Sequence, residues 1–121
     1  MKSHVLQDRL SNFAVKIISV ADKMSKTKAG NHLANQILRS GTSPALNYAE
    51  AQGAESKKDF IHKMRIVLKE LRETYVCLGI IQKAVLYENV EDLAKVIAEA
   101  NELVSIFVAS TKTAEKSLAK R

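Results

Sequence analysis

Leu6, Leu10, Phe13, Ile17, Val20 and Met24 recur at steps of 4, 3, 4, 3 and 4. Such spacing puts every apolar side chain on one side of an α-helix and on no consistent side of a strand. The same alternation holds over Leu93, Ile97, Ala100, Val104, Phe107, Thr111, Ala114 and Leu118. It holds again over Phe60, Met64, Val67, Leu71, Tyr75 or Thr74, Leu78 and Val85. Between the first and third of these runs, Leu33, Ile37, Gly41, Ala45 and Tyr48 share one face. The pattern predicts helices over about residues 4–25, 30–52, 57–87 and 89–118.

Only 4 Gly and 1 Pro interrupt the 121 residues, too few for the many tight turns of an all-β fold. Ser56 and Asn89 are natural N-caps, followed by Asp59 and by Glu91 and Asp92 in the first turns, where carboxylates suit the helix dipole. Pro44 falls inside the second helix. It either kinks a continuous helix or restarts it with Ser43 as the cap; because the apolar phase passes straight through, the kinked continuous form is favoured. Ala34, Gly41 and Ala45 would let a neighbouring helix come close. Four amphipathic helices with short links point to an all-α, antiparallel up-down four-helix bundle forming a single domain over 1–121. Ile61, Ile66, Ile80, Val96 and Leu103 lie off or at the margin of the main seams. They belong either to a subunit interface or to a wide core face.

The formal net charge is +6 and the isoelectric point about 9.5, a balance that suits an anionic partner or serves solubility alone. The single thiol, Cys77, cannot form an intrachain disulfide, which favours a reducing compartment. The first residues carry no apolar signal-peptide region, and no apolar run approaches the ~20 residues needed to span a bilayer. A cytoplasmic protein with no membrane partner is expected.

Catalytic chemistry finds little footing. His4, His32 and His62 fall on three different helices with no metal-ligand spacing, and no glycine-rich phosphate loop is present. Ser40, Thr42 and Ser43 follow Arg39, but nothing identifies a base to activate them. Gln36, Ser40, Ser43, Asn47 and Glu50 form a polar stripe beside the apolar face of the second helix, and Glu70 and Glu73 flank the seam of the third. Paired carboxylates near a bundle core can hold metal, but di-iron bundles supply Glu-x-x-His pairs, and none occurs here. A hydrogen-bonded polar layer that fixes helix register is the plainer reading. No enzyme, cofactor or metal site is therefore expected.

The third helix carries the clearest functional signal. Lys58, His62, Arg65, Lys69 and Arg72 step by 4, 3, 4 and 3 opposite the seam, and Lys83 returns to the same arc. The row spans about 80° of arc and can contact successive phosphates of a nucleic acid. Glu55, Asp59 and Glu73 on the adjacent arc can dilute its field, and a solvated face is the competing reading.

The run Gln36-Ile37-Leu38-Arg39-Ser40-Gly41-Thr42-Ser43-Pro44-Ala45-Leu46-Asn47-Tyr48-Ala49-Glu50-Ala51 is followed by Ser56-Lys57-Lys58-Asp59-Phe60-Ile61-His62-Lys63 and by Leu68-Lys69-Glu70-Leu71-Arg72-Glu73-Thr74. Together these segments resemble the "four helix bundle protein" family. Some of its members are encoded in intervening sequences of bacterial 23S rRNA genes and were once described as a ribosomal protein. The resemblance covers about residues 33 to 78 and implies a bundle that assembles into a homopentamer, whose formal charge would be about +30. It also implies similarity to the accessory protein of diversity-generating retroelements, a basic pentamer that binds nucleic acid and a reverse transcriptase. On this resemblance Asn47, Glu50, Asp59, Lys63, Glu70 and Glu73 are packing and inter-helix polar contacts. The expected function is a non-enzymatic, oligomeric scaffold that binds structured RNA or DNA. The alternatives are a protein-interaction module, such as an accessory subunit of a reverse transcriptase, and a metal-dependent enzyme using Glu50, Glu70 or Glu73.

Overall fold

Each apolar seam becomes a buried ridge in the computed structural model, which describes residues 1–120. The helices are α1 (Ser3–Asp22), α2 (Lys28–Gln52), α3 (Lys57–Lys83) and α4 (Val90–Ala119). α1 packs on α2, α2 on α3 and α3 on α4, while α4 closes back on α1 through a much slighter contact. α2 and α3 run antiparallel, since Glu50 near the end of one meets Lys63 near the start of the other, and Gln36 meets Glu73. The core is one cluster drawn from all four helices, with Phe13, Ile37, Leu71, Leu78 and Phe107 at its centre. Tyr48 and Phe107 meet edge to face with ring centroids 5.5 Å apart.

Local chemistry sets most boundaries. Ser56 Oγ accepts from the Asp59 amide at 3.1 Å, and Asn89 Oδ1 from the Asp92 amide at 3.0 Å, so both expected caps open their helices. A third cap comes from Thr27, whose Oγ1 accepts from the Gly30 amide at 3.0 Å. It starts α2 two residues before the expected position. A Cβ on Gly30 would lie 2.0 Å from the Ser25 carbonyl oxygen, so only glycine fits that tight entry. α2 runs unbroken through Pro44. Gly41 permits the close α1–α2 approach expected of it: a Cβ there would sit 2.7 Å from Ile17 Cγ1.

The structure corrects two expected helix ends and decides between the open alternatives at two further places. α1 ends at Asp22 rather than near 25, although Met24 still turns into the core. α3 ends at Lys83 rather than 87. There the Leu86 amide donates to the Ile81 carbonyl at 3.1 Å and the Val85 amide to the Gln82 carbonyl at 3.2 Å. This is the Schellman stop, with Val85 at φ 55 in the left-handed region. Val85 is consequently 78% exposed instead of on the seam, and Tyr87 enters the core in its place. Of the alternatives at 74 and 75, Thr74 is buried and Tyr75 is exposed. Finally, Ile61, Val96 and Leu103 are buried in the protein's own core and Ile66 is half-buried; only Ile80 of that set is exposed. A bundle helix touches two neighbours, so its buried arc is wider than one seam.

Tyr87 donates to Asp92 Oδ2 at 2.7 Å, and burial together with that carboxylate pushes its phenol up to about 12. The Ser25 amide donates to the Leu86 carbonyl at 2.9 Å, joining the α1–α2 and α3–α4 connections at one end of the bundle.

Candidate nucleic-acid interface

The outer face of α3 carries the basic residues that the sequence singled out. Its inner face packs through Met64, Val67, Leu71 and Leu78, which turns the opposite arc to solvent. Lys58, His62, Arg65, Lys69, Arg72 and Lys83 are all exposed. The row is not continuous to its end, because Val76 and Ile80 occupy the same arc between Arg72 and Lys83 and are 60% and 48% exposed. The basic part is therefore the N-terminal half of the helix.

Of the acids beside the row, Glu70 and Glu73 are engaged with α2, while among the described residues Glu55 and Asp59 have no ion-pair partner. Arg39 on α2 reaches both Glu70, at 3.2 Å, and Glu73. Gln36 Nε2 also donates to Glu73 Oε2 at 2.8 Å, and Lys63 pairs with Glu50 at 2.9 Å. On the other side Arg65 pairs with Glu115 of α4. Among the described residues Lys58, Lys69, Arg72 and Lys83 have no carboxylate partner. Lys112 and Lys116 are exposed on α4, flanking the Glu115 that Arg65 grips, and widen the basic surface beyond α3. The lysine-rich end of the sequence was their signal. Arg39 and Glu115 had none that spacing within one helix could reveal.

The polar stripe of α2 meets α3 as a hydrogen-bonded layer. The Ser40 and Thr74 hydroxyls, both fully buried, lie 2.9 Å apart, and Thr74 Oγ1 is 2.8 Å from the Glu70 carbonyl oxygen. A hydroxyl has one proton, so Thr74 donates to one of these and Ser40 completes the pair. Asn47 turns back onto its own helix, donating to Ser43 Oγ at 2.8 Å and to the Ser43 carbonyl at 3.1 Å. Asp59 contributes its amide to the Ser56 cap.

Glu50, Glu70 and Glu73 thus face cations. Among the described residues no three His, Cys, Asp or Glu side chains are arranged to hold a metal ion. His4, His32 and His62 are exposed and far apart in the fold's element order. Burial pushes the Cys77 thiol up, which leaves it a poor nucleophile. No helix among the described residues is long and apolar enough to cross a membrane.

Comparison with known proteins places this geometry. No curated protein matches the chain. It is similar to a crystal structure of a protein of unknown function from the S23 ribosomal protein family of Bacteroides thetaiotaomicron. The two share 31% identity and a TM-score of 0.81, over 93% of this chain and 99% of that one. The model of the 23S rRNA-intervening sequence protein family matches residues 2–109, which takes in all of α1 to α3 and most of α4. The family resemblance carried by the Gln36-to-Ala51, Ser56-to-Lys63 and Leu68-to-Thr74 segments therefore holds, and the chain belongs to the 23S rRNA-intervening sequence protein family.

Proposed function

We propose that this protein is a non-enzymatic, self-associating helical scaffold that binds structured nucleic acid, RNA first, through the N-terminal half of the α3 outer face. The observation that carries this reading is the pairing pattern. Glu50, Glu70, Glu73 and Glu115 are held by Lys63, Arg39 and Arg65, while Lys58 and Lys69 stand exposed without an ion-pair partner. Unpaired cations about three turns apart along a rigid helix can each replace a condensed counter-ion on a phosphate chain. The family's name associates it with intervening sequences of 23S rRNA, which makes structured RNA the first ligand class to test. A ring of copies would multiply a weak single-copy contact.

The test is titration of a labelled RNA stem-loop with the wild type and with Lys58→Glu/Lys69→Glu. The reading expects tight binding at low salt and at least a tenfold loss in the variant, with helix content unchanged. No binding at low salt, or equal binding by the variant, would overturn it. The second reading, a protein-interaction module such as a reverse-transcriptase accessory subunit, draws on exposed Tyr75, Val76 and Ile80. It is favoured if a partner is retained after nuclease treatment while RNA does not bind.

A further inference from the structure

Two helix faces of this bundle carry exposed apolar residues bracketed by unpaired charge, and the charges are opposite. On α3, Val76 and Ile80 stand between Arg72 and Lys83, on one arc of about 80°. On α1, Val15 and Ile18, 65% and 43% exposed, stand between Asp8 and Asp22 on the side opposite the buried Leu10 and Ile17. These four also fall within an arc of about 80°. All four bracketing charges are exposed, and among the described residues none has an ion-pair partner. At 1.5 Å per residue the acids lie about 21 Å apart along α1 and the cations about 16 Å apart along α3. Long Arg and Lys side chains span that difference.

From these features we infer that the outer face of α1 in one copy docks on the C-terminal half of the outer face of α3 in the next copy. This inference rests on the self-association in the proposed function and names its surfaces. Shape agrees with charge. Val76 and Ile80 form a ridge between two shallow hollows of about 410 and 370 Å³. One is floored by Leu33 and Cys77, the other by Gly79 and Ile97. Val15 and Ile18 make a ridge of the kind that packs into such grooves.

The occupant is a second copy for a specific reason. Two α3 faces meeting each other would set Arg72 and Lys83 against their equals, and two α1 faces would oppose aspartates. Only the mixed contact pairs acid with base at both ends. α1 and α3 also lie diagonally across the bundle with no close backbone approach, so a copy can offer both outer faces at once. The contact is thus head-to-tail and, repeated from copy to copy, gives a closed ring where its rotation returns to the first copy. It assigns Arg72 and Lys83 to neighbouring subunits and leaves Lys58, His62, Arg65 and Lys69 for nucleic acid.

The experiment is sedimentation velocity on the full chain with three variants: Asp8→Lys/Asp22→Lys, Arg72→Glu/Lys83→Glu, and the combination of all four changes. The wild type should sediment as a closed oligomer. Each double variant should fall to monomer, with at least a tenfold weaker self-association and unchanged circular dichroism, since every altered side chain is exposed. The fourfold variant restores opposite charges and should reassemble. An oligomeric wild type whose double variants keep its size, or a fourfold variant that stays dissociated while fully helical, overturns this contact and leaves the self-association reading standing. A monomeric wild type overturns both, and the RNA titration then judges the nucleic-acid reading alone.

Discussion

The α2–α3 and α1–α4 seams use the same device and differ in what backs it. In each, one arginine grips two glutamates three residues apart: Arg39 with Glu70 and Glu73, and Arg9 with Glu99 and Glu102. Around Arg39 lie the Ser40–Thr74 hydroxyl pair, the Gln36–Glu73 bond and an extensive helix contact. Arg9 bridges the neighbouring helices with the slightest contact. It does so with a side chain 23% exposed, against 54% for Arg39, and with a two-pronged grip on Glu99 at 2.8 and 2.9 Å. An arginine over a packed seam adds little to what packing already holds. One across a sparse seam is much of the seam. The lesson for function is that the Arg39 cluster mainly neutralises acids beside the α3 cation row, whereas the Arg9 cluster mainly closes the bundle.

The largest effect should come from the packing that makes Arg39 dispensable. Leu71, fully buried on α3, truncated to Ala should cost about 2–5 kcal/mol; an unchanged melting temperature would break the assignment of the seam. Next, Arg9→Ala should cost about 1.5–3 kcal/mol by removing hydrogen bonds to charged groups and should speed amide exchange in α1. That cost depends on pH. The Arg9 hydrogen bonds hold the Glu99 carboxyl below its ordinary range, so their contribution is fully present above the unfolded value, about 4.3. It is lost as pH falls through the lower folded value. The melting gap between wild type and Arg9→Ala should therefore be constant above about pH 5 and shrink in stronger acid.

Val85→Gly should raise stability by about 1 kcal/mol, because a β-branched residue at φ 55 pays a penalty that glycine does not. A melting temperature that falls would show that the Schellman stop is held by something other than backbone geometry. The smallest effect should be Arg39→Ala, about 0–1 kcal/mol as for exposed ion pairs. A loss equal to that of Arg9→Ala would erase the contrast between the two seams.

Much of this was legible in the sequence. The 4-3 spacing of Leu6 to Met24 and of Leu93 to Phe107 names core residues directly, and Ser56 and Asn89 announce their helices. The end of α3 was not legible, because a Schellman stop usually announces itself with glycine and here uses Val85. The width of the core was not legible either: Ile61, Val96 and Leu103 sit off a single seam yet are buried by a second neighbour. Pairing between helices, as in Arg39 with Glu70, depends on register, which no pattern within one helix encodes. The exposed cation row was visible at once, but the removal of Glu70 and Glu73 into the α2–α3 seam was not.

The most direct test of the account is the slope of log binding constant against log salt for the RNA stem-loop, measured for wild type and Lys58→Glu/Lys69→Glu. The account expects a steep negative slope for the wild type that flattens by about one for each cation that contacts phosphate. A variant whose slope and affinity match the wild type would contradict the claim that the α3 row is the nucleic-acid interface.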